Sequence, residues 1–277
     1  MTKILRFGVP AWVGAWLLSV PFAGFGQTVD PSARASDPAD SLARAGRPCL
    51  LRRAARWAGR PEGQRVWVPA TFITAGALTT RRIAVVNSDE ELREELSEHA
   101  PTVRTTIDDE LRYVPAAAAL GLSLAGVKGR HSTVNQALLF ALTYTINNTL
   151  TSNLKNITRV ERPGGNGDFS SFPSQHTSAA FSAARFLDRE YGERSGWYRV
   201  GGYSVATGVA ALRLVKGNHW LSDVLAGAGV GLASTELAYW AYPLVQRVLV
   251  KGLQSQALVL PYYQGGAAGL TATLVLR

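Results

Sequence analysis

At 277 residues the chain is long enough for one large domain, or for a medium domain with appendages. Its formal net charge of +9 suits anionic partners such as membrane surfaces and phosphorylated molecules, but no nucleic-acid-binding motif accompanies the basic residues, which excludes nucleic acid. The lone cysteine, Cys49, excludes an intramolecular disulfide and has neither zinc-ligand spacing nor a CxxC partner.

In chain order, Lys3 and Arg6 precede an uncharged apolar stretch over residues 7–26, interrupted by Pro10 and Pro21 and closed by Gly24 and Gly26. That is the layout of a secretory signal peptide cut ahead of Gln27. The alternative is an uncleaved anchor of about the ~20 residues a span needs, although the prolines disfavour a continuous helix. Export places the protein in the periplasm or at the outer face of the inner membrane. Residues 27–65 form an expected basic, flexible linker, with Arg44, Arg47, Arg52, Arg53, Arg56 and Arg60 unbroken by an acid. Such a segment suits peripheral contact with anionic lipid, with Leu50, Leu51 and Trp57 as weak apolar anchors.

Residues 66–256 are expected to form the helical domain. Residues 66–78 are apolar but too short to span a bilayer, and Ser88 with Glu91 spells a capping box that starts an acidic amphipathic helix to about His99. A second apolar stretch covers 113–127. Leu139, Leu142, Ile146, Leu150 and Leu154 then recur as one helical face. Further helices are expected over 177–191, 198–214 and from about His219 to Tyr242, ending before Pro243. Gly227, Gly229 and Gly231 lie within the last of these and suit close helix packing rather than a phosphate loop. No segment after residue 26 offers 18 consecutive strongly apolar residues, so the expectation is a soluble or peripheral all-α bundle. Residues 257–277 alternate in character around a turn expected at Pro261 to Gly266, a short C-terminal β-hairpin.

Three polar clusters carry the chemistry. Lys155 and Arg162 lie seven residues apart, which predicts one helix face, with Pro163 ending that helix. Ser174 and His176 stand at the start of a helix, where free N–H groups favour an anion. His219 and Asp223, at i and i+4, allow the carboxylate to take one ring proton and leave the other nitrogen as nucleophile. Arg213 ends the preceding helix and is expected beside His219. Charge-assisted hydrogen bonds contribute about 1.5–3 kcal/mol each, so three such cations suit a phosphoryl dianion.

In that order the motifs Lys-x6-Arg-Pro, Pro-Ser-x-His and Arg-x5-His-x3-Asp resemble the type 2 phosphatidic acid phosphatase superfamily, which includes lipid phosphate phosphatases, bacterial class A acid phosphatases and vanadium-dependent haloperoxidases. The resemblance implies a helical bundle of the acid phosphatase and haloperoxidase type, and hydrolysis of phosphate esters without metal or cofactor. It implies His219 as the nucleophile that becomes a phosphohistidine, Asp223 as its orienting group and His176 as the acid for the leaving oxygen. Lys155, Arg162 and Arg213 would clamp the phosphate, with Ser174 and the backbone at Gln175 adding hydrogen bonds. The substrate is a phosphorylated lipid or a small phosphomonoester. Two residues depart from the pattern: Gln175 replaces a glycine and is expected to keep an ordinary φ, and Leu212 replaces a serine, at a cost of about 1 kcal/mol. The motif also serves vanadium-dependent halogenation, and the two departures motivate a third reading, a binding remnant without turnover.

Overall fold

The computed structural model describes residues 57–79, 88–99, 103–254, 257–264 and 267–274, with side chains described to residue 248. The expected signal peptide, the linker up to residue 56 and Cys49 lie outside the described residues. The helices, in chain order, are α1 (Pro61–Thr79), α2 (Ser88–His99), α3 (Ile107–Leu111), α4 (Val114–Leu124), α5 (Thr133–Thr158), α6 (Gln175–Tyr191), α7 (Gly196–Val215) and α8 (Leu221–Gln254). They are followed by an antiparallel pair of strands, β1 (Ala257–Gln264) and β2 (Ala267–Leu274).

The expected all-α bundle is what the chain forms, organised around α6. One side of α6 places Ala180, Phe181 and Ala184 against Ala206, Val209 and Ala210 of α7 and Val224, Ala228 and Leu232 of α8. Another side buries Ala183, Phe186 and Leu187 with Ala116 and Ala119 of α4, Leu139 of α5 and Tyr242 of α8. A buried Phe or Leu side chain contributes about 1.5–3 kcal/mol, so these two clusters hold α6 from both sides and fix where its N-terminus emerges. Ion pairs reinforce the arrangement: Arg185 and Arg189 both reach Glu236 of α8, at 2.6 and 2.9 Å, while Arg199 of α7 meets Asp188 at 2.7 Å.

The glycine run of α8 packs as the sequence suggests. A Cβ at Gly227 would lie 2.7 Å from the Ser174 carbonyl, and one at Gly231 2.2 Å from that of Ser178, both at α6. At Gly229 it would meet Pro69 and Ile73 of α1 at 2.7 Å. Bare backbone on two faces therefore lets α8 approach α1 and α6 closely.

Three expectations need correction. The helix carrying Lys155 stops at Thr158, where Arg159 adopts a left-handed conformation (φ 47°), so Arg162 is not on that helix. A side chain in this conformation is uncommon at a helix end, where glycine usually serves, and nothing in the sequence around Arg159 announces it. Second, α8 runs through Pro243 to Gln254. The proline removes one backbone hydrogen bond, but packing of Tyr242 in the core carries the helix past it. Third, Pro261 is not in the turn: it lies in β1 opposite Leu270, and the pairing continues to Gln264 opposite Ala267. A strand of a two-stranded sheet has an unpaired edge, where proline is tolerated. Among the described residues no helix is long and apolar enough to cross a membrane.

Candidate active site

The loop between α5 and α6 folds back on itself. Ser171 N–H donates to the Val160 carbonyl at 3.0 Å and Arg162 N–H to that of Asp168 at 3.0 Å, with Gly165 and Gly167 at positive φ in the bend. This fold-back returns Arg162 and Ser171 to the end of α5, beside Lys155. The Lys155 ammonium donates to the Ser170 carbonyl, and the Ser171 carbonyl lies 3.5 Å away. Burial, helped by the nearby Arg162, lowers the Lys155 pKa to about 8. Arg162 pairs with Asp168 at 2.8 Å and reaches the Asn218 carbonyl at 3.4 Å, which ties this loop to the segment before His219.

His219 is buried, two residues ahead of α8. Its Nδ1 lies 3.4 Å from Asp223 Oδ2 and 3.5 Å from Ser171 Oγ. Asp223 Oδ2 also accepts from Ser171 Oγ at 2.5 Å and from Trp220 N–H at 2.8 Å. The Trp220 bond is the carboxylate half of a capping box, so Asp223 both starts α8 and faces the histidine. Burial pushes the His219 pKa down to about 4 despite Asp223, so the ring is neutral near pH 7. With Nδ1 turned to Asp223, the free nitrogen is Nε2.

Ser174 caps α6. Its hydroxyl accepts from Thr177 N–H at 3.5 Å and from Thr177 Oγ1 at 3.0 Å, and its own N–H donates to the Asp223 carbonyl at 2.9 Å. The capping duty, which sequence reasoning did not assign to it, keeps the Ser174 side chain wholly buried. Gln175 has the ordinary negative φ expected of it, and its side chain donates to Asn148 Oδ1 at 3.3 Å. The first-turn N–H groups of α6 remain directed out of the helix.

Arg213 is buried, its Nη1 donating to Asp108 Oδ2 at 2.7 Å while its Nε has no hydrogen-bond partner. Its carbonyl accepts from Asn218 N–H at 3.1 Å, closing the turn that precedes His219. Asp108 Oδ1 accepts from Lys216 at 2.8 Å. Burial raises the Asp108 pKa, but the bonds from Lys216 and Arg213 outweigh it and hold the carboxyl at about 2. The neighbouring Asp109 meets His176, Oδ1 to Nε2, at 2.5 Å. Burial lowers the His176 pKa, opposed by that contact and assisted by Arg213 and Arg112.

The structure thus links all eight sequence-predicted residues through shared loops and hydrogen bonds. It adds five that the motifs did not reveal: Ser171, Asp108, Asp109, Lys216 and Asp89. Asp89 accepts from Ser222 N–H and Oγ at 2.8 and 2.6 Å, docking α2 on the start of α8, and burial raises its pKa to about 6. Ser171 lies between the first two motifs and Lys216 inside the third, whereas Asp108, Asp109 and Asp89 lie far from all three. Arg159, in contrast, is exposed. His131 and His99 belong elsewhere, paired with Glu190 and Glu95.

Two further features border the site. Ligand atoms of Asp108, Asp109 and His176 lie within 4.8 Å of one another, but both oxygens of Asp108 are taken by cations, a donor set for charge pairing rather than for a metal. A cavity of about 220 Å³ between α2 and residues 216–221 is lined by Leu92, Leu96, Leu214, Trp220 and His219. Lys155, Arg162, Arg213 and His176 do not line it, so it is not where the cations converge.

Residues 136–247, which contain every one of the predicted site residues, match the family model of the PAP2 superfamily. Over those residues the chain is similar to the PAP2 superfamily. A 175-residue segment is 37% identical to the lipid A 1-phosphatase of Porphyromonas gingivalis, covering 61% of this chain and 38% of that protein. The chain therefore matches well under half the length of that relative. A solved transmembrane PAP2-type phosphatidylglycerolphosphate phosphatase from Bacillus subtilis is 19% identical, with 65% of this chain and 98% of that chain covered and a TM-score of 0.39.

Proposed function

We propose that this helical domain hydrolyses phosphate monoesters borne on lipid, through a phosphohistidine on His219. The observation that carries the reading is the buried, neutral His219, with Nδ1 toward Asp223 and Nε2 free. Nε2 attacks phosphorus while the ester oxygen departs on the opposite side and takes a proton from His176. Water then attacks the phosphohistidine, giving its proton to His176 and releasing phosphate and neutral His219. Lys155, Arg162 and Arg213 hold the phosphoryl oxygens together with the first-turn N–H of Gln175, and the Ser174 hydroxyl has its own proton left to donate. Phosphoryl transfer depends mainly on such positioning and charge neutralisation, so the site works without a metal, and EDTA should leave turnover unchanged.

The lipid substrate is supported by the likeness to a lipid A 1-phosphatase and by a surface suited to peripheral membrane contact. Leu237, Trp240, Leu244 and Val248 recur along α8 and are exposed, Trp240 by 81%. With a net charge of +9, this stripe favours an anionic bilayer. Export, read from residues 3–26, completes the proposal and places the reaction on the periplasmic side.

The test is phosphate release from p-nitrophenyl phosphate, phosphatidic acid, undecaprenyl diphosphate and a phosphorylated glycolipid, comparing the full chain with His219→Ala. Turnover of the lipid substrates that vanishes in the variant is the expected result. Turnover of p-nitrophenyl phosphate alone would move the substrate to soluble esters. No release, with peroxide- and vanadate-dependent halogenation in its place, would replace hydrolysis with the haloperoxidase reading. Vanadate binding without either activity would leave a binding protein.

A further inference from the structure

The short helix α3 presents two consecutive carboxylates that diverge. Asp108 is wholly buried and spends both oxygens on Arg213 and Lys216. Asp109, with its side chain 47% exposed, instead holds Nε2 of His176, whose side chain is 20% exposed. Asp109 is itself set in place, because its N–H donates to the Thr106 carbonyl at 2.9 Å and its carbonyl accepts from Arg112 Nε at 2.9 Å. The charged groups facing His176 are Asp109, Arg112 and Asp108 from α3 and Arg213 from α7. Asp108 is already neutralised by two cations, and the two arginines disfavour an imidazolium. Asp109 is the carboxylate left to support one.

We propose that Asp109 is a positioning residue for His176, forming with it a second His–Asp pair that mirrors His219–Asp223. This inference rests on the phosphatase reading for its catalytic meaning. In the protonated ring, Nε2–H stays on Asp109 and Nδ1–H is the proton given to the departing ester oxygen. Donation leaves a neutral ring that keeps its Nε2–H bond to Asp109. The ring thus stays oriented to receive a proton back, at Nδ1, from the attacking water. His176 and Asp109 come from α6 and α3, 67 residues apart in sequence, so no local motif contains the pair.

The experiment is an NMR titration of the histidine Cε1–H signals of the full chain, with His176 assigned from its loss in His176→Gln; the chain has four histidines. Replacing Asp109 by Asn should lower the His176 midpoint by about 0.5–1 pH unit, a three- to tenfold loss of proton affinity. The alkaline limb of kcat/KM should move to lower pH by the same amount, and Asp109→Glu should restore both. An unchanged His176 midpoint in Asp109→Asn, in a protein that still turns over substrate, overturns the pairing and leaves the phosphatase reading intact. A shifted midpoint in Asp109→Asn, where the unsubstituted chain itself releases no phosphate from any substrate, upholds the pairing and overturns the phosphatase reading.

Discussion

Asp223 shows how much one carboxylate oxygen does at the scale of a residue. Oδ2 receives Ser171 Oγ, Trp220 N–H and the Nδ1 side of His219, whereas Oδ1 has no hydrogen-bond partner. The Ser171 hydroxyl therefore competes with His219 for one oxygen and fixes where that oxygen sits. A hydrogen bond to a charged group contributes about 1.5–3 kcal/mol, so Ser171→Ala should lower kcat about ten- to hundredfold. Steady-state kinetics on the preferred ester checks this, and an unchanged kcat would remove Ser171 from the machinery. In the proposed mechanism the two histidines set a pH window. His219 must be neutral to attack, and its pKa lies at about 4, so the acid limb of kcat/KM belongs near there. His176 must be protonated to donate, and its pKa lies below the ordinary histidine value of about 6.5. Activity should therefore peak on the acid side of neutrality and fall as pH rises through the His176 pKa. A pH–rate profile with its alkaline limb above pH 7 would contradict that assignment.

At the scale of the element, α8 positions the site because it is glycine-faced. Contact at Gly227 brings α8 against the Ser174 backbone, and four residues earlier the Asp223 carbonyl accepts the Ser174 N–H, so one approach sets both the cap of α6 and the place of the His219–Asp223 pair. Gly231→Ala would put a Cβ 2.2 Å from the Ser178 carbonyl, on backbone that has little room to yield. Overpacking of this kind costs about 1–3 kcal/mol, equivalent to a fall in Tm of several degrees for a domain of this size. Gly208→Ala in α7 meets nothing within 4 Å and should instead stabilise by about 0.5–1 kcal/mol. Paired thermal melts of the two variants check the contrast. The elements also show where sequence patterning stops being informative. The acidic run of α2 was legible down to its ends because its amphipathic pattern is local. The end of α5 was not, since Arg159 takes a conformation that local preference disfavours and that the fold-back of residues 160–171 imposes.

Charge and apolar surface act at the scale of the whole molecule. In the proposed membrane contact, the exposed stripe of Leu237, Trp240, Leu244 and Val248 would supply the apolar part and the net charge the attraction to anionic headgroups. The full chain should co-sediment with vesicles rich in anionic lipid and only weakly with neutral ones. Raising salt from about 0.1 to about 1 M, which cuts the Debye length from about 10 Å to about 3 Å, should release most of it. Equal, salt-insensitive binding to both vesicles would assign the contact to apolar insertion alone.

Read alone, the sequence determined the helical class, most helix positions and the three motifs, because amphipathic periodicity and residue chemistry are properties of neighbours along the chain. It also contained the glycine contacts of α8, legible as small residues at helical spacing. Only the tertiary structure decided how the three clusters join: Lys155 to Arg162 through a folded loop rather than a helix face, and Ser174 to Asp223 through backbone. The carboxylates of α3 came from the same source, since Asp108 meets Arg213 across 105 residues and Asp109 meets His176 across 67. Such pairs follow from which buried faces pack together, and a charge is recognised as a partner only once the core has brought its counterion to it.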